Sequence, residues 1–267
     1  QQMPEGPPLT AANFPLTHLW FLYLLLLLYA GMLVLRLPLV VVDRGGHLRE
    51  ALSGFVLSLL RMEVLVLLLG GVIAVSFLQK ADWVEWFGVP TPDYGFVPNT
   101  QALVTYGLAF TLGWVLHRQI QALDMLRRRA PFYLLLAGAL TAGCLALLDG
   151  KPSTIPVLDG QMKVAYAAAY GLAIWYWSLG LVGAALALFP RENASIRYLA
   201  DSSYWLYLIH LPLVMALQVW VMKWPWPAEA KYMFILGTSV PLMLLSYQFL
   251  VRNSFIGVLL NGRKKGR

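Results

Sequence analysis

Apolar residues run along this chain in stretches long enough to cross about 30 Å of hydrocarbon as helices. They fall near residues 17–36, 62–79, 100–118, 131–149, 164–189, 202–222 and 231–251. The first is the cleanest, with no charged residue between His18 and Arg36. Segment 43–61 has another pattern. It mixes Arg44, His47, Arg49 and Glu50 with Leu52, Phe55, Val56, Leu59 and Leu60, which suits a helix lying at the membrane interface. The expected fold is all-α: a polytopic helical membrane protein with about seven transmembrane helices and one interfacial helix, forming a single membrane-embedded domain over residues 1–267.

Composition agrees. Mean hydropathy is +0.66, hydrophobic residues make up 59% and charged residues 12%, where soluble domains carry about 25% charged residues. The formal charge of +7 invites a nucleic-acid reading, but the basic residues are spread among short loops and no soluble basic domain holds a backbone groove. The one cysteine, Cys144, lies in an apolar run and reads as a small buried hydrophobe. The chain shows no P-loop, no dinucleotide-binding glycine signature and no His/Cys cluster with metal spacing.

Charge assigns an orientation. With the start of the chain outside, the inner loops and tail hold 15 of the 20 basic residues, including Arg36, Arg61, Arg118, Arg127, Arg128, Arg129, Arg197 and Arg252. The outer loops hold five lysines, Lys80, Lys151, Lys163, Lys223 and Lys231. The positive-inside rule then gives one consistent topology. A chain that starts outside with no basic leader region is expected to follow an upstream part with an odd number of spans.

The chemistry concentrates in the sixth stretch. Tyr204, Tyr207 and His210 are spaced three apart and share one helix face. Pro212 cannot donate to the carbonyl of Leu208, so a bend and a free acceptor are expected beside His210. Such a face points at protein or water rather than lipid. It reads either as a polar cavity wall, where His210 orients or shuttles a proton for a substrate hydroxyl, or as a structural His–Tyr network. His18 and Trp20 sit at headgroup depth at the outer end of the first stretch, as an interfacial belt would. The outer aromatics Trp83, Trp86, Phe87, Tyr94, Phe96, Trp224 and Trp226 read as a belt or as a platform for a sugar or lipid acceptor. Arg61 and Glu63 are two apart and do not face each other; Arg61 snorkels and Glu63 is open to a polar partner. Arg118, Arg127, Arg128 and Arg129 fall in one inner loop. They can hold the phosphates of a nucleotide-like donor or serve topology and anionic lipid.

The ordered pair Thr17-His18-Leu19-Trp20-Phe21-Leu22 and Tyr204-Trp205-Leu206-Tyr207-Leu208-Ile209-His210-Leu211-Pro212, with a basic tail at Arg263-Lys264-Lys265, resembles the membrane acyltransferase-3 family over nearly the whole chain. The resemblance is closest to the branch implicated in succinylating periplasmic glucans. That family has about ten spans and a cytoplasmic N-terminus, so the resemblance implies about three spans upstream of Gln1. It also implies that the family's Arg…His catalytic signature lies there, since Arg36 to His47 has near that spacing but passes through a loop. No catalytic residue is assigned in this chain.

What the resemblance implies further is transfer of an acyl group, succinyl or acetyl, from a cytoplasmic acyl-CoA to hydroxyls of a periplasmic or surface glycan, with no bound cofactor and no metal. His18, Trp20, Tyr204, Tyr207 and His210 would line the substrate pocket; Arg118, Arg127, Arg128 and Arg129 would lie near the donor phosphates. The setting would be the bacterial inner membrane, with the C-terminus cytoplasmic. A transporter or flippase also fits the proline-bearing spans (Pro212, Pro241), and a scaffold or non-catalytic truncated homologue is the remaining reading.

Overall fold

The computed structural model describes residues 10–11, 13–117, 119–191 and 193–261. Arg118, an expected donor-phosphate residue, and the basic tail from Arg263 lie outside the described residues. Among those described, the architecture is all-α: helices, with one isolated antiparallel bridge between Pro15 and Tyr94. The chain divides into two compact units, residues 1–190 and 191–267, where the sequence predicts one domain.

In the first unit, a 3-10 turn at Thr17–Leu19 leads into α1 (Trp20–Val42), which continues six residues past Arg36 and through Pro38. A turn closed by the Asp43 carboxylate, which accepts from the Leu48 amide at 3.1 Å, starts α2 (His47–Arg61). Glu63 then adopts a left-handed backbone (φ 61°), and α3 (Val64–Leu78) leaves at 90° to α2. The other helices of this unit are α4 (Thr100–Leu116), α5 (Ile120–Leu147) and α6 (Gly160–Leu188). Asn99 starts α4 by accepting from the Ala102 amide at 2.8 Å.

Five helical segments are long and apolar enough to cross a membrane: Thr17–Val42, Gln121–Leu147, Gly160–Leu188, Ala194–Val221 and Ala228–Val251. The expected spans at 62–79 and 100–118 correspond to the shorter α3, 15 residues, and α4, 17 residues. At 1.5 Å per residue these reach only about 22 and 26 Å. The left-handed corner at Glu63 cuts α3 short. Taken with α2 as one bent segment, α3 has the length and apolarity of a sixth, broken span or of a re-entrant loop.

The core of the first unit lies where α6 packs against α3 and α5. Val66, Ile73, Phe77, Leu126, Tyr133, Ala137, Ala167 and Trp175 are buried there. Close approach is built from small residues, as in membrane helices generally. A β-carbon on Gly171 would stand 2.4 Å from the Gly70 carbonyl oxygen, and one on Gly183 would stand 2.2 Å from that of Leu126.

The second unit holds α7 (Ala194–Val221), α8 (Ala228–Ser246) with a π-helical turn at Tyr247–Val251, and α9 (Phe255–Asn261). Asn193 caps α7, accepting from the Ser195 and Ile196 amides. The helix therefore begins eight residues before the expected 202. It also runs unbroken through Pro212, and Leu208 is not left without an interaction.

Candidate functional site

One end of the first unit carries the loops 79–99 and 148–159. Segment 10–19 is tied to this loop end: the Leu16 amide donates to Asp93 O at 2.8 Å, Phe14 stacks on Phe96 at 5.0 Å, and the Tyr23 hydroxyl donates to Phe96 O at 2.8 Å. His18 sits here, half-buried, with Nδ1 3.5 Å from Thr17 Oγ1. Trp20 packs against Tyr106 of α4, ring centroids 5.6 Å apart.

The aromatic loop divides in two. Trp83 is buried, stacked 4.5 Å from Phe77, and donates to Gly88 O at 2.7 Å. It is core, not platform. Gly88, at φ 64°, is required: a β-carbon there would stand 1.8 Å from the Tyr170 hydroxyl. Phe87 and Tyr94 are the members left widely exposed. At the start of the same loop the Lys80 ammonium donates to both Asp82 oxygens, at 2.8 and 2.9 Å, and holds that carboxyl below the usual carboxylate range.

Glu85 in this loop is fully buried. Its carboxylate accepts from the Val157 amide at 3.1 Å and the Leu158 amide at 3.4 Å, and its carbonyl accepts from the Tyr166 hydroxyl at 2.9 Å. It ties the two loops together. The sequence shows it only as one acidic residue in an outer loop; nothing in its spacing marks it as sealed.

A second carboxylate lies at the other end. Arg129 of α5 pairs with Glu63 and also donates from both terminal nitrogens to Arg61 O at 3.2 Å, closing the C-terminus of α2. The Tyr133 hydroxyl, one turn further along α5, donates to Glu63 Oε1 at 2.9 Å. The other oxygen, Oε2, is buried without a partner among the described residues. Arg61 turns to Gln121 Oε1 at 2.9 Å.

The arginine triple is therefore not a loop. Arg127, Arg128 and Arg129 lie on α5, whose helical register continues through Pro131. Arg127 and Arg128 pair with Asp124 at 2.9 and 2.8 Å and stay exposed, while Arg129 turns inward to Glu63. Spacing of i,i+3 and i,i+4 from Asp124 predicts the first two pairs once the segment is recognised as helix.

In the second unit, His210 Nδ1 lies 2.7 Å from Tyr207 O, and the two rings are 5.6 Å apart. Tyr204 is the more exposed of the three. The neighbouring face of α7 packs on α8: the Tyr198 hydroxyl donates to Leu244 O at 3.1 Å, and Trp205 Nε1 donates to Ser246 Oγ at 2.9 Å. Arg252 lies over the Tyr198 ring at 5.5 Å. The expected pocket residues thus form two sets, His18 with Trp20 in one unit and Tyr204, Tyr207 and His210 in the other.

Among the described residues no group of His, Cys, Asp and Glu is arranged to hold a metal ion. A family model described as an acyltransferase domain matches residues 2–248. No curated protein and no solved structure matches the chain.

Proposed function

The chain belongs to the acyltransferase-3 family of membrane acyltransferase domains, and from that premise we propose that it is an O-acyltransferase of a bacterial inner membrane. It moves a succinyl or acetyl group from a cytoplasmic acyl-CoA to hydroxyls of a periplasmic or surface glycan, the chemistry of the glucan-succinylating branch. The family match over 2–248 carries this reading, with the set of apolar helices that places the chain in a membrane.

In the transfer, the acceptor oxygen attacks the thioester carbonyl, the C–S bond breaks as the ester C–O bond forms, and the hydroxyl proton ends on the departing thiolate. The roles proposed for this chain are binding and orientation. His18 and Trp20, at the loop end, suit a sugar face, because an aromatic ring and an imidazole offer stacking and hydrogen bonding together. Tyr204, Tyr207 and His210 present two phenols and an imidazole along one face of α7. The Tyr207 carbonyl beside Nδ1 fixes the orientation of the His210 ring.

The test is acyl transfer in membranes holding the full-length protein, with mass spectrometry of the glycan fraction after addition of succinyl-CoA or acetyl-CoA. The expected result is a new ester on glycan hydroxyls, reduced at least about tenfold by His210→Ala, the size of effect expected for an orienting group. Equal product at equal protein level in that variant would make the α7 face a structural network. No ester with either donor would sink the acyl-transfer reading.

A further inference from the structure

At the end of the first unit away from the loops, α1 and α4 line an open cleft of about 450 Å³ formed by Tyr29, Arg36, Ala109, Phe110, Gly113, Trp114 and His117. Its shape follows from helical spacing. Phe110, Trp114 and His117 recur at i, i+4 and i+7 on α4, so they stand on one face. Tyr29 and Arg36, seven apart, do the same on α1. The rings form a continuous ladder: Tyr29 meets Phe110 edge-on at 4.8 Å, Phe110 lies 6.2 Å from Trp114, and Trp114 lies 6.2 Å from the His117 ring. The His117 ring is fixed by its Nδ1, 2.6 Å from Trp114 O. Ala109 and Gly113 leave the floor open; a β-carbon on Gly113 would meet nothing within 4 Å.

Arg36 decides what the cleft is for. It makes no hydrogen bond or ion pair among the described residues, whereas Arg61, Arg127, Arg128 and Arg129 are all spent on protein partners. It lies nineteen residues along the helix from Thr17, about 28 Å at 1.5 Å per residue, which sets it near the far edge of a hydrocarbon layer of about 30 Å. An exposed guanidinium near that edge is open to an anion, and its planar fork matches phosphate.

We infer that this cleft is a phosphate-binding site: Arg36 holds the phosphate, and the Phe110–Trp114–His117 wall takes a flat ring attached to it. Phosphate there has two possible sources, the acyl donor and a lipid headgroup. Assignment to the donor rests on the acyl-transfer reading; phosphate binding itself does not.

The experiment measures equilibrium binding of coenzyme A to the full chain in nanodiscs of phosphatidylcholine alone, and retention of phosphatidylglycerol by protein purified from membranes containing it. Two variants act by different means. Arg36→Gln removes the charge, and Gly113→Leu fills the floor, starting from a β-carbon that meets nothing within 4 Å. If the donor is the source, both variants weaken coenzyme A binding at least about tenfold. If a lipid is the source, coenzyme A binding stays as it was and both variants lose the co-purified phosphatidylglycerol. If neither ligand responds to either variant, the site is overturned. Binding of coenzyme A that needs Arg36, in a wild-type protein that transfers no acyl group, would keep the site and remove the acyl-transfer reading.

Discussion

Two carboxylates mark the two ends of the first unit, and the fold treats them in opposite ways. Glu85 is 0% exposed and meets no cation among the described residues; two backbone amides and the closing of two loops hold it. Glu63 keeps 27% of its side chain exposed and meets Arg129, 35% exposed, and Tyr133. The first site is sealed and hydrogen-bonded, as a buried carboxylate persists only where its hydrogen bonds are satisfied. The second is an ion pair at a helix corner with one oxygen left unpaired. A sealed carboxylate holds structure. A half-open pair fixes a corner and can exchange partners.

The largest effect is expected from breaking the sealed site. Glu85→Ala strands the Val157 and Leu158 amides inside the protein, and hydrogen bonds to a charged group contribute about 1.5–3 kcal/mol each. One contact is long, at 3.4 Å, so the expected loss is about 3 kcal/mol in total, read as a fall in thermal or denaturant unfolding of the purified protein in micelles. Glu85→Gln keeps one acceptor and should lose about half as much. A Glu85→Ala protein as stable as wild type would mean that the loops do not depend on this latch.

At the corner, Arg129→Met removes the partner of Glu63 and the closure of Arg61 O together. Both side chains touch solvent, so the expected cost is smaller, about 1–2 kcal/mol. A double-mutant cycle with Glu63→Gln should return a coupling of at least about 0.5 kcal/mol; additive losses would show that the pair is geometric only. Tyr133→Phe loses one hydrogen bond to Glu63, about 1 kcal/mol, and less where the corner is already broken.

The difference between the ends also explains what was legible in the sequence. Long apolar runs mark membrane helices directly, so the all-α fold and the separate helix α2 follow from hydropathy and from the charge mixture at 43–61. The cap at Asn193 moves the start of α7, and the corner at Glu63 shortens α3; both are single-residue backbone events that hydropathy does not record. Glu63 is visible as a group in need of a partner, but its pairing with Arg129 spans 66 positions and is written only in the packing of α3 and α5 against α6. Glu85 is invisible for a stronger reason: its partners are backbone amides, which every residue but proline carries. At the α7 face the spacing of Tyr204, Tyr207 and His210 is readable. The helix itself runs on through Pro212 without a break.

The smallest stability change, and the sharpest functional one, comes from Asp124. It is paired with Arg127 at i,i+3 and Arg128 at i,i+4, all three exposed, so Asp124→Asn should change unfolding by no more than about 0.5 kcal/mol. The same substitution releases two guanidinium groups at the end of the unit where Arg129 holds its corner. If Arg127 and Arg128 receive the donor phosphates, their release should lower the KM for the acyl donor, about twofold to fivefold, at unchanged kcat. The gain should shrink as salt rises, because exposed charges are screened over about 10 Å at 0.1 M. If the donor phosphate sits instead on Arg36, the KM stays where it was in Asp124→Asn and rises in Arg36→Gln. Measured side by side, the two variants assign the phosphate to α5 or to the cleft between α1 and α4, and with it decide whether the paired arginines or the unpaired one carries the binding.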